Sequence, residues 1–185
     1  MKTAIRTATP VDALAVRDVH LASIEGLGPS AYDPEVVAAW AHERDPADYP
    51  IDSEDASFVV AEVASGNGKG HEENGNNGVV GFGWLAFDPG AHLVAGADAE
   101  VVAVYVHPVA AREGIGSAVL DELECGARER GIETIGLWAS LPAVLFYLAR
   151  GYERVVEHLH EFAPGVEGRI VEMTKAVAME AEAEG

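Results

Sequence analysis

Residues 104–117 read VYVHPVAAREGIGS and join a strand pattern to a helix pattern. The β-branched and aromatic residues before Pro108 predict a strand over 100–107, and the apolar spacing after Gly114 predicts an amphipathic helix. A strand that turns into a helix N-terminus directs several unpaired backbone N–H groups to one point. Gly114 and Gly116 allow a tight turn and the close approach of an anion. The segment therefore predicts a phosphate cradle, although a purely structural turn also fits this pattern.

Two other phosphate-binding motifs do not fit the chain. It has no Gly-x4-Gly-Lys-Ser/Thr, so a nucleoside triphosphate loop is unsupported. Val119 stands where a dinucleotide fingerprint has its third glycine. The anion must therefore belong to another class of ligand.

A second block, SLPAVLFYLARGY at 140–152, lies one predicted strand after the glycine turn. Together the two blocks resemble the GNAT superfamily of N-acetyltransferases. That family has Gln/Arg-x-x-Gly-x-Gly/Ala after a strand ending in Val-x-Pro, and about thirty residues later Asn-x-x-Ala-x-x-Phe-Tyr-x-x-x-Gly-Phe/Tyr. The residues that match in register are Val106, Pro108, Gly114, Gly116, Ala143, Phe146, Tyr147, Gly151 and Tyr152. The chain departs from the pattern at Ala111, in the Gln/Arg position, and at Ser140, in the Asn position.

The resemblance implies a GNAT-like α/β (α+β) single domain with a mixed central sheet flanked by helices. The sheet is expected to splay between the fourth and fifth strands, predicted here at 100–107 and 132–139. The resemblance also implies acetyl-CoA as cosubstrate and no metal. The backbone N–H groups of 112–117 would hold its pyrophosphate, and the strand edge at 104–106 would pair with its pantetheine amides. The implied cofactor-binding residues are Val104, Tyr105, Val106, Arg112, Glu113, Gly114, Ile115, Gly116, Ser117, Ser140 and Phe146.

The resemblance further implies direct transfer of an acetyl group to a primary amine. Tyr147 matches the family tyrosine that reaches the CoA sulfur, which makes it the expected general acid; a core aromatic is the alternative. Glu100 stands where histone-acetylating members carry a general base, although a solvated carboxylate also fits this position, and other members use waters. Ser140 either contributes its hydroxyl to the cofactor site or caps the next helix. The acceptor, a small-molecule or peptide amine, is expected to contact the segment 23–40.

Composition limits the remaining function classes. The 185 residues include 31 acidic and 12 basic side chains, for a net charge of −19, so nucleic acid is a poor partner. Few lysines and a normal apolar content are typical of an acidic coat adapted to a high-salt cytoplasm, although an acidic mesophilic protein also fits. No segment reads as a signal peptide or membrane span, so a cytoplasmic location is predicted. Cys125 is expected to be buried within a helix.

The whole chain predicts the element order β-α-α-β-β-β-α-β-α-β-β. One domain is expected at 1–175, with a mobile hairpin loop at 65–77 and an acidic tail at 176–185. His158 and His160 alternate on a predicted strand, but a third metal ligand at a clear spacing is missing. A non-catalytic CoA-binding module and a purely structural acidic protein remain as alternatives to the enzyme. The sequence also leaves open whether the protein is a homodimer.

Overall fold

The structure is a computed structural model that describes residues 3–42, 44–63 and 78–177. Its helices and strands follow the predicted order. The strands are β1 (Thr3–Thr7), β2 (Ala56–Val63), β3 (Val79–Ala86), β4 (Ala99–Val106), β5 (Thr134–Ser140), β6 (Glu153–Ala163) and β7 (Val166–Ala176). The α-helices are α1 (Ala13–Leu27), α2 (Pro34–Trp40), α3 (Ile115–Glu129) and α4 (Val144–Ala149). The hairpin loop predicted at 65–77 and the tail from 178 onward lie outside the described residues.

The strands form one mixed sheet in the order β1-β2-β3-β4-β5-β7-β6. All neighbours are antiparallel except β4 and β5, which are parallel and pair only at Ala99 with Ile135 and at Glu100 with Gly136. Within the described residues no further pair joins these two strands, so the later part of β4 faces a gap. The predicted splay between the fourth and fifth strands is confirmed.

Helix α3 packs closely on the sheet because two glycines of β3 leave room for it. A Cβ atom on Gly83 would lie 2.5 Å from Cγ1 of Val119 and 2.9 Å from Cδ1 of Leu123. The predicted apolar stripe of α3 is buried as expected, with Val119 and Leu123 fully inaccessible to solvent. Cys125 was expected to be buried and is instead exposed, because it lies outside this stripe.

A β-bulge interrupts β4 beside the gap. Trp84 of β3 pairs with Ala103, whereas the next residue, Leu85, pairs with Val101. Val102 is therefore the extra residue, and its side chain remains 40% exposed. A bulge re-aims the side chains of a strand, and here it turns Val102 away from the regular alternation.

The first strand is tied to α1 by a buried carboxylate. Asp12 is fully buried and accepts hydrogen bonds from Nη1 and Nη2 of Arg6 at 2.8 and 2.9 Å. The backbone N–H of Thr9 donates to the same carboxylate at 2.8 Å. These contacts fix the turn through which the chain enters the helix.

Among residues 3–42, 44–63 and 78–177, no helix is both long enough and apolar enough to cross a membrane.

Candidate active site

The glycine turn before α3 has the geometry of an anion cradle. Gly114 is the N-cap residue with φ 79°, in the left-handed region that glycine tolerates best. The first intrahelical bond runs from the N–H of Ala118 to the carbonyl of Gly114 at 3.1 Å. The N–H groups of Ile115, Gly116 and Ser117 therefore precede the helix ladder, and none donates a hydrogen bond within the part of the chain that the structure describes.

The cradle lies against the end of β4 and the start of α4. A Cβ atom on Gly116 would lie 3.6 Å from the ring of Phe146 and 3.6 Å from Cγ2 of Val106. Three of the predicted cofactor-binding residues, Val106, Gly116 and Phe146, thus lie next to one another. Arg112, also predicted, is exposed on the turn with φ 69°.

A cavity of about 250 Å³ opens where β4 and β5 separate, and it is called the larger cavity below. It includes the predicted residues Val104, Tyr105, Ser140 and Tyr147. The remaining lining residues are Trp40, Val101, Val102, Ala103, Trp138, Ala143, His160, Phe162 and Ile170. The structure thus brings the predicted general acid to the gap between the strands.

Tyr147 is positioned as a protonated phenol. Its side chain packs between the rings of Phe146, at 5.0 Å, and Tyr152, at 5.5 Å, and the residue is 6% exposed. Burial raises the pKa of Tyr147 well above its ordinary value, because the phenolate would lose its hydration. Among the described residues no group hydrogen-bonds to its hydroxyl, which leaves this donor available to a ligand in the cavity.

Ser140 does not cap the following turn, contrary to one of its two predicted roles. It precedes the short 3-10 turn Leu141–Ala143 without a side-chain capping bond. Tyr32 satisfies this turn instead, because its hydroxyl accepts from the N–H of Leu141 at 3.0 Å and donates to the carbonyl of Arg169 at 2.7 Å. Tyr32 belongs to the segment 23–40, which was expected to contact the amine. In the structure its hydroxyl instead links the turn Leu141–Ala143 to β7.

Glu100 lies at the closed end of the gap, where β4 and β5 still pair. It is 7% exposed, and its carboxylate accepts from Nε2 of His92 at 2.8 Å and from the N–H of Gly90 at 2.9 Å. Both partners belong to the loop 87–98 between β3 and β4. Glu100 is absent from the lining of the larger cavity, so the structure does not bring it into direct contact with Tyr147.

A second buried carboxylate holds the same loop. Glu172 of β7 is 1% exposed and accepts from the N–H of Ala95 at 2.8 Å and from Nε2 of His158 at 2.9 Å. Burial by itself would raise the pKa of Glu172, but these hydrogen bonds outweigh it and lower the pKa below its usual range. In the described part of the chain no group of three or more His, Cys, Asp or Glu side chains is arranged to hold a metal ion.

Aromatic and imidazole rings form part of the wall of the larger cavity, and the sequence did not predict this. His160 lies 4.7 Å from the ring of Phe162 and 5.5 Å from that of Trp138. Burial lowers the pKa of His160, so its imidazole is neutral near pH 7. The only sequence signal was the alternation of His158 and His160, which correctly put them on one face of a strand.

A smaller cavity of about 210 Å³ adjoins the larger one. The two share Trp40, Val102, Ala103 and Tyr105, and the bulged Val102 therefore lies at their boundary. The other residues that line the smaller cavity are His20, Arg44, Asp48, Tyr49 and Trp84. None of these five was predicted as a site residue.

Comparisons with known proteins agree with this geometry. The acetyltransferase (GNAT) family profile matches residues 29–152. A GCN5-related N-acetyltransferase from Rhodopseudomonas palustris is 25% identical, with a TM-score of 0.74 over 95% of this chain and 96% of that one. The PaiA N-acetyltransferase of Thermoplasma acidophilum, solved with coenzyme A, is 18% identical (TM-score 0.67, 95% and 99% covered). YncA of Salmonella typhimurium, solved with acetyl-CoA, is 15% identical (TM-score 0.64, 99% and 98% covered). No curated protein matches at a significant level.

Proposed function

The chain belongs to the acetyltransferase (GNAT) family, and we propose that it moves an acetyl group from acetyl-CoA to a primary amine by direct attack. The observation that carries this proposal is the coincidence of three features at one gap in the sheet. Within the described residues these are the N–H groups at 115–117 without acceptors, the edge of β4 that faces β5 without a partner strand, and the hydroxyl of Tyr147 without a hydrogen bond.

The first two features fit the two chemical parts of acetyl-CoA. The N–H groups of Ile115, Gly116 and Ser117 suit the pyrophosphate, since a helix N-terminus favours negative charge. The edge of β4 at Val104–Val106 that faces β5 suits the amides of the pantetheine arm, since within the described residues its backbone groups on that side pair with no strand, whereas β3 pairs with the other side. The net charge of −19 opposes an anionic ligand, and we propose that molar salt, in keeping with a halophilic origin, screens this repulsion.

Tyr147 is proposed to protonate the departing thiolate of CoA. A phenol held protonated by burial is a suitable donor to a sulfur atom that gains negative charge. The hydroxyl of Ser140 lies on the same cavity and can hold the acetyl carbonyl or an ordered water.

Glu100 is proposed as the group that finally accepts the proton of the amine. It does not line the larger cavity, so the proton would travel through a water. His92, whose side chain is 38% exposed and which binds Oε1 of Glu100, would carry the proton on to solvent. His160 is the alternative base, because it is neutral and lines the cavity itself.

Thiol release from acetyl-CoA tests the proposal. The assay is run in molar KCl with a panel of small-molecule and peptide amines, and calorimetry measures CoA binding under the same conditions. We expect CoA to bind and at least one amine to accelerate thiol release. Binding without turnover for every amine would support the non-catalytic CoA-binding module, and no binding at any salt concentration would refute the proposed cradle.

A further inference from the structure

Three nitrogen atoms on side chains that line the smaller cavity are buried and have no hydrogen-bond partner among the described residues. They are Nε2 of His20, Nε of Arg44 and Nε1 of Trp84. All three side chains line this one cavity. Buried polar atoms are normally paired, so three exceptions around one space indicate a missing ligand group.

Each of these atoms is a hydrogen-bond donor. Arginine Nε and tryptophan Nε1 can only donate. For His20 the tautomer follows from Tyr49, whose hydroxyl lies 2.9 Å from Nδ1. Burial raises the pKa of Tyr49 to about 12, so the phenol keeps its proton, and among the described residues its hydroxyl makes no hydrogen bond other than the one to His20. Tyr49 therefore donates to Nδ1, and the proton of the neutral imidazole is on Nε2.

The charge of the site favours an anionic ligand group. Within residues 3–42, 44–63 and 78–177, no carboxylate forms an ion pair with Arg44, and its Nη2 makes only a 3.4 Å contact to the carbonyl of Trp40. Asp48 also lines the cavity, but it is exposed and its Oδ2 already accepts from the N–H of Asp45 at 3.2 Å. Three donors, one of them cationic, match the lone pairs of a carboxylate.

We propose that the smaller cavity binds the carboxylate of the acceptor, so that the acceptor is a primary amine that also carries a carboxylate. This inference rests on the proposed acetyl transfer. The two cavities share Trp40 and Tyr105, so one molecule can place its carboxylate beside Arg44 and extend its amine toward Tyr147. The acidic surface favours the cationic ammonium group of such an acceptor, and the donors of the smaller cavity select for its carboxylate.

Selectivity follows from the same three donors. An amine without the carboxylate leaves all three buried and unpaired, which is a strong basis for rejection. A chain of several bonds between amine and carboxylate is accommodated because the cavities adjoin through Val102 and Ala103.

The indole N–H of Trp84 reports binding directly, without any turnover. The chain has three tryptophans, so ¹⁵N-tryptophan labelling gives few signals, and the Trp84→Phe variant assigns the one of interest. The probes are amino acids and ω-amino carboxylates of increasing length, each compared with the matched amine lacking the carboxylate. Because chloride is an anion that could bind the same donors, a titration with KCl alone is the control for its effect on the Trp84 signal.

We expect the Trp84 signal to shift with at least one amino carboxylate and not with its decarboxylated partner. The proposal is wrong if no amino carboxylate shifts this signal, if the matched amine shifts it equally, or if chloride alone accounts for the change.

Steady-state kinetics provide a second test of the carboxylate site. We expect Trp84→Phe and Arg44→Gln each to reduce the preference for an amino carboxylate over its decarboxylated partner by about tenfold, measured as the ratio of the two kcat/KM values. Arg128→Gln on α3, which lines neither cavity, serves as the matched arginine control and should keep the ratio. An unchanged ratio in both cavity variants would overturn the proposal. If no amine is acetylated while the Trp84 signal still responds to the carboxylate, acetyl transfer fails and the carboxylate site stands.

Discussion

Nε2 of His92 lies 2.8 Å from Oε1 of Glu100, and this contact joins the loop after β3 to the point where β4 and β5 still pair. Glu172 repeats the arrangement on β7, because it too binds an N–H of the same loop and one histidine. The loop 87–98 is therefore held by two buried carboxylates of similar surroundings. Of the two, only Glu100 lies on the strand that borders the gap, and this makes Glu172 a natural control for it.

Glu100→Gln should lower kcat/KM by about a hundredfold if Glu100 is the base. The glutamine can still accept from Gly90 with its oxygen and donate to His92 with its nitrogen, so the fold should persist. Glu172→Gln should leave kcat/KM within about threefold, since Glu172 lines neither cavity and its carboxylate binds the loop and His158. Steady-state kinetics over pH 5–9 test both variants. Equal activity in the two would favour His160, and His160→Gln would then show the loss.

Tyr147→Phe should reduce kcat by about a hundredfold or more while the Kd for CoA stays nearly constant. The hydroxyl is lost but the ring that packs on Phe146 and Tyr152 remains. Tyr152→Phe is the matched control, because Tyr152 is buried yet does not line the cavities. Thiol release and calorimetry on both variants check the prediction. Wild-type turnover in Tyr147→Phe would remove it as the acid.

Gly83→Ala should destabilise the protein by about 1–3 kcal/mol, because the new methyl group would overlap Val119 and Leu123. Gly126→Ala should instead stabilise it by roughly 0.5–1 kcal/mol, since nothing lies within 4 Å of its Cβ position and alanine favours the helix. Urea unfolding at fixed KCl concentration measures both. The changes in the free energy of unfolding should have opposite signs in the two variants. A loss of stability in both would contradict the packing described for α3.

The interaction of Asp12 with Arg6 makes stability depend on pH. Hydrogen bonds from Arg6 lower the pKa of Asp12, and they outweigh burial, which acts in the opposite direction. The stabilisation is fully present above the pKa of an unfolded aspartate, about 4, and is lost as pH falls through the lower pKa of the folded state.

Asp12→Asn should therefore cost about 2 kcal/mol at pH 7, and the difference from wild type should shrink below about pH 4. Asp18→Asn is the control, because Asp18 is 40% exposed and its pair with Arg17 is solvated. Denaturant unfolding at pH 7, 5 and 3.5 measures the three proteins. A constant difference at all three pH values would contradict the proposed linkage.

Local patterns were sufficient to predict most of the fold and the glycine turn before α3. The apolar stripe of α3 has a helical period, and Gly114 lies where this helix begins. Tyr147 follows Gly114 through the consecutive elements α3, β5 and α4, so the number of residues between the two is also visible in the sequence. Such features depend on neighbours within a few residues of the chain, so they leave a signal in the sequence.

The loop 87–98 could not be predicted, because its position depends on distant partners. Its sequence DPGAHLVAGAD at 88–98 has no helical or strand period. The N–H of Ala95 is held by a carboxylate 77 residues away, and Leu93 packs where Gly136 leaves space. The smaller cavity was not predicted for the same reason, since His20, Arg44 and Trp84 come from three separate segments of the chain. Their unpaired nitrogens become visible only in three dimensions.

The brief pairing of β4 with β5 has a further consequence for solubility. Unpaired strand edges usually lie at the rim of a sheet, where they invite strands of other molecules and promote aggregation. Here an unpaired edge lies in the middle of the sheet, between β4 and β5 and behind a layer of aromatic rings. A neighbouring chain cannot reach it in the way it reaches an outer strand. The protein can thus keep the backbone groups of this inner edge open to a narrow, extended molecule without adding a further exposed edge at the rim of the sheet, where β1 and β6 lie.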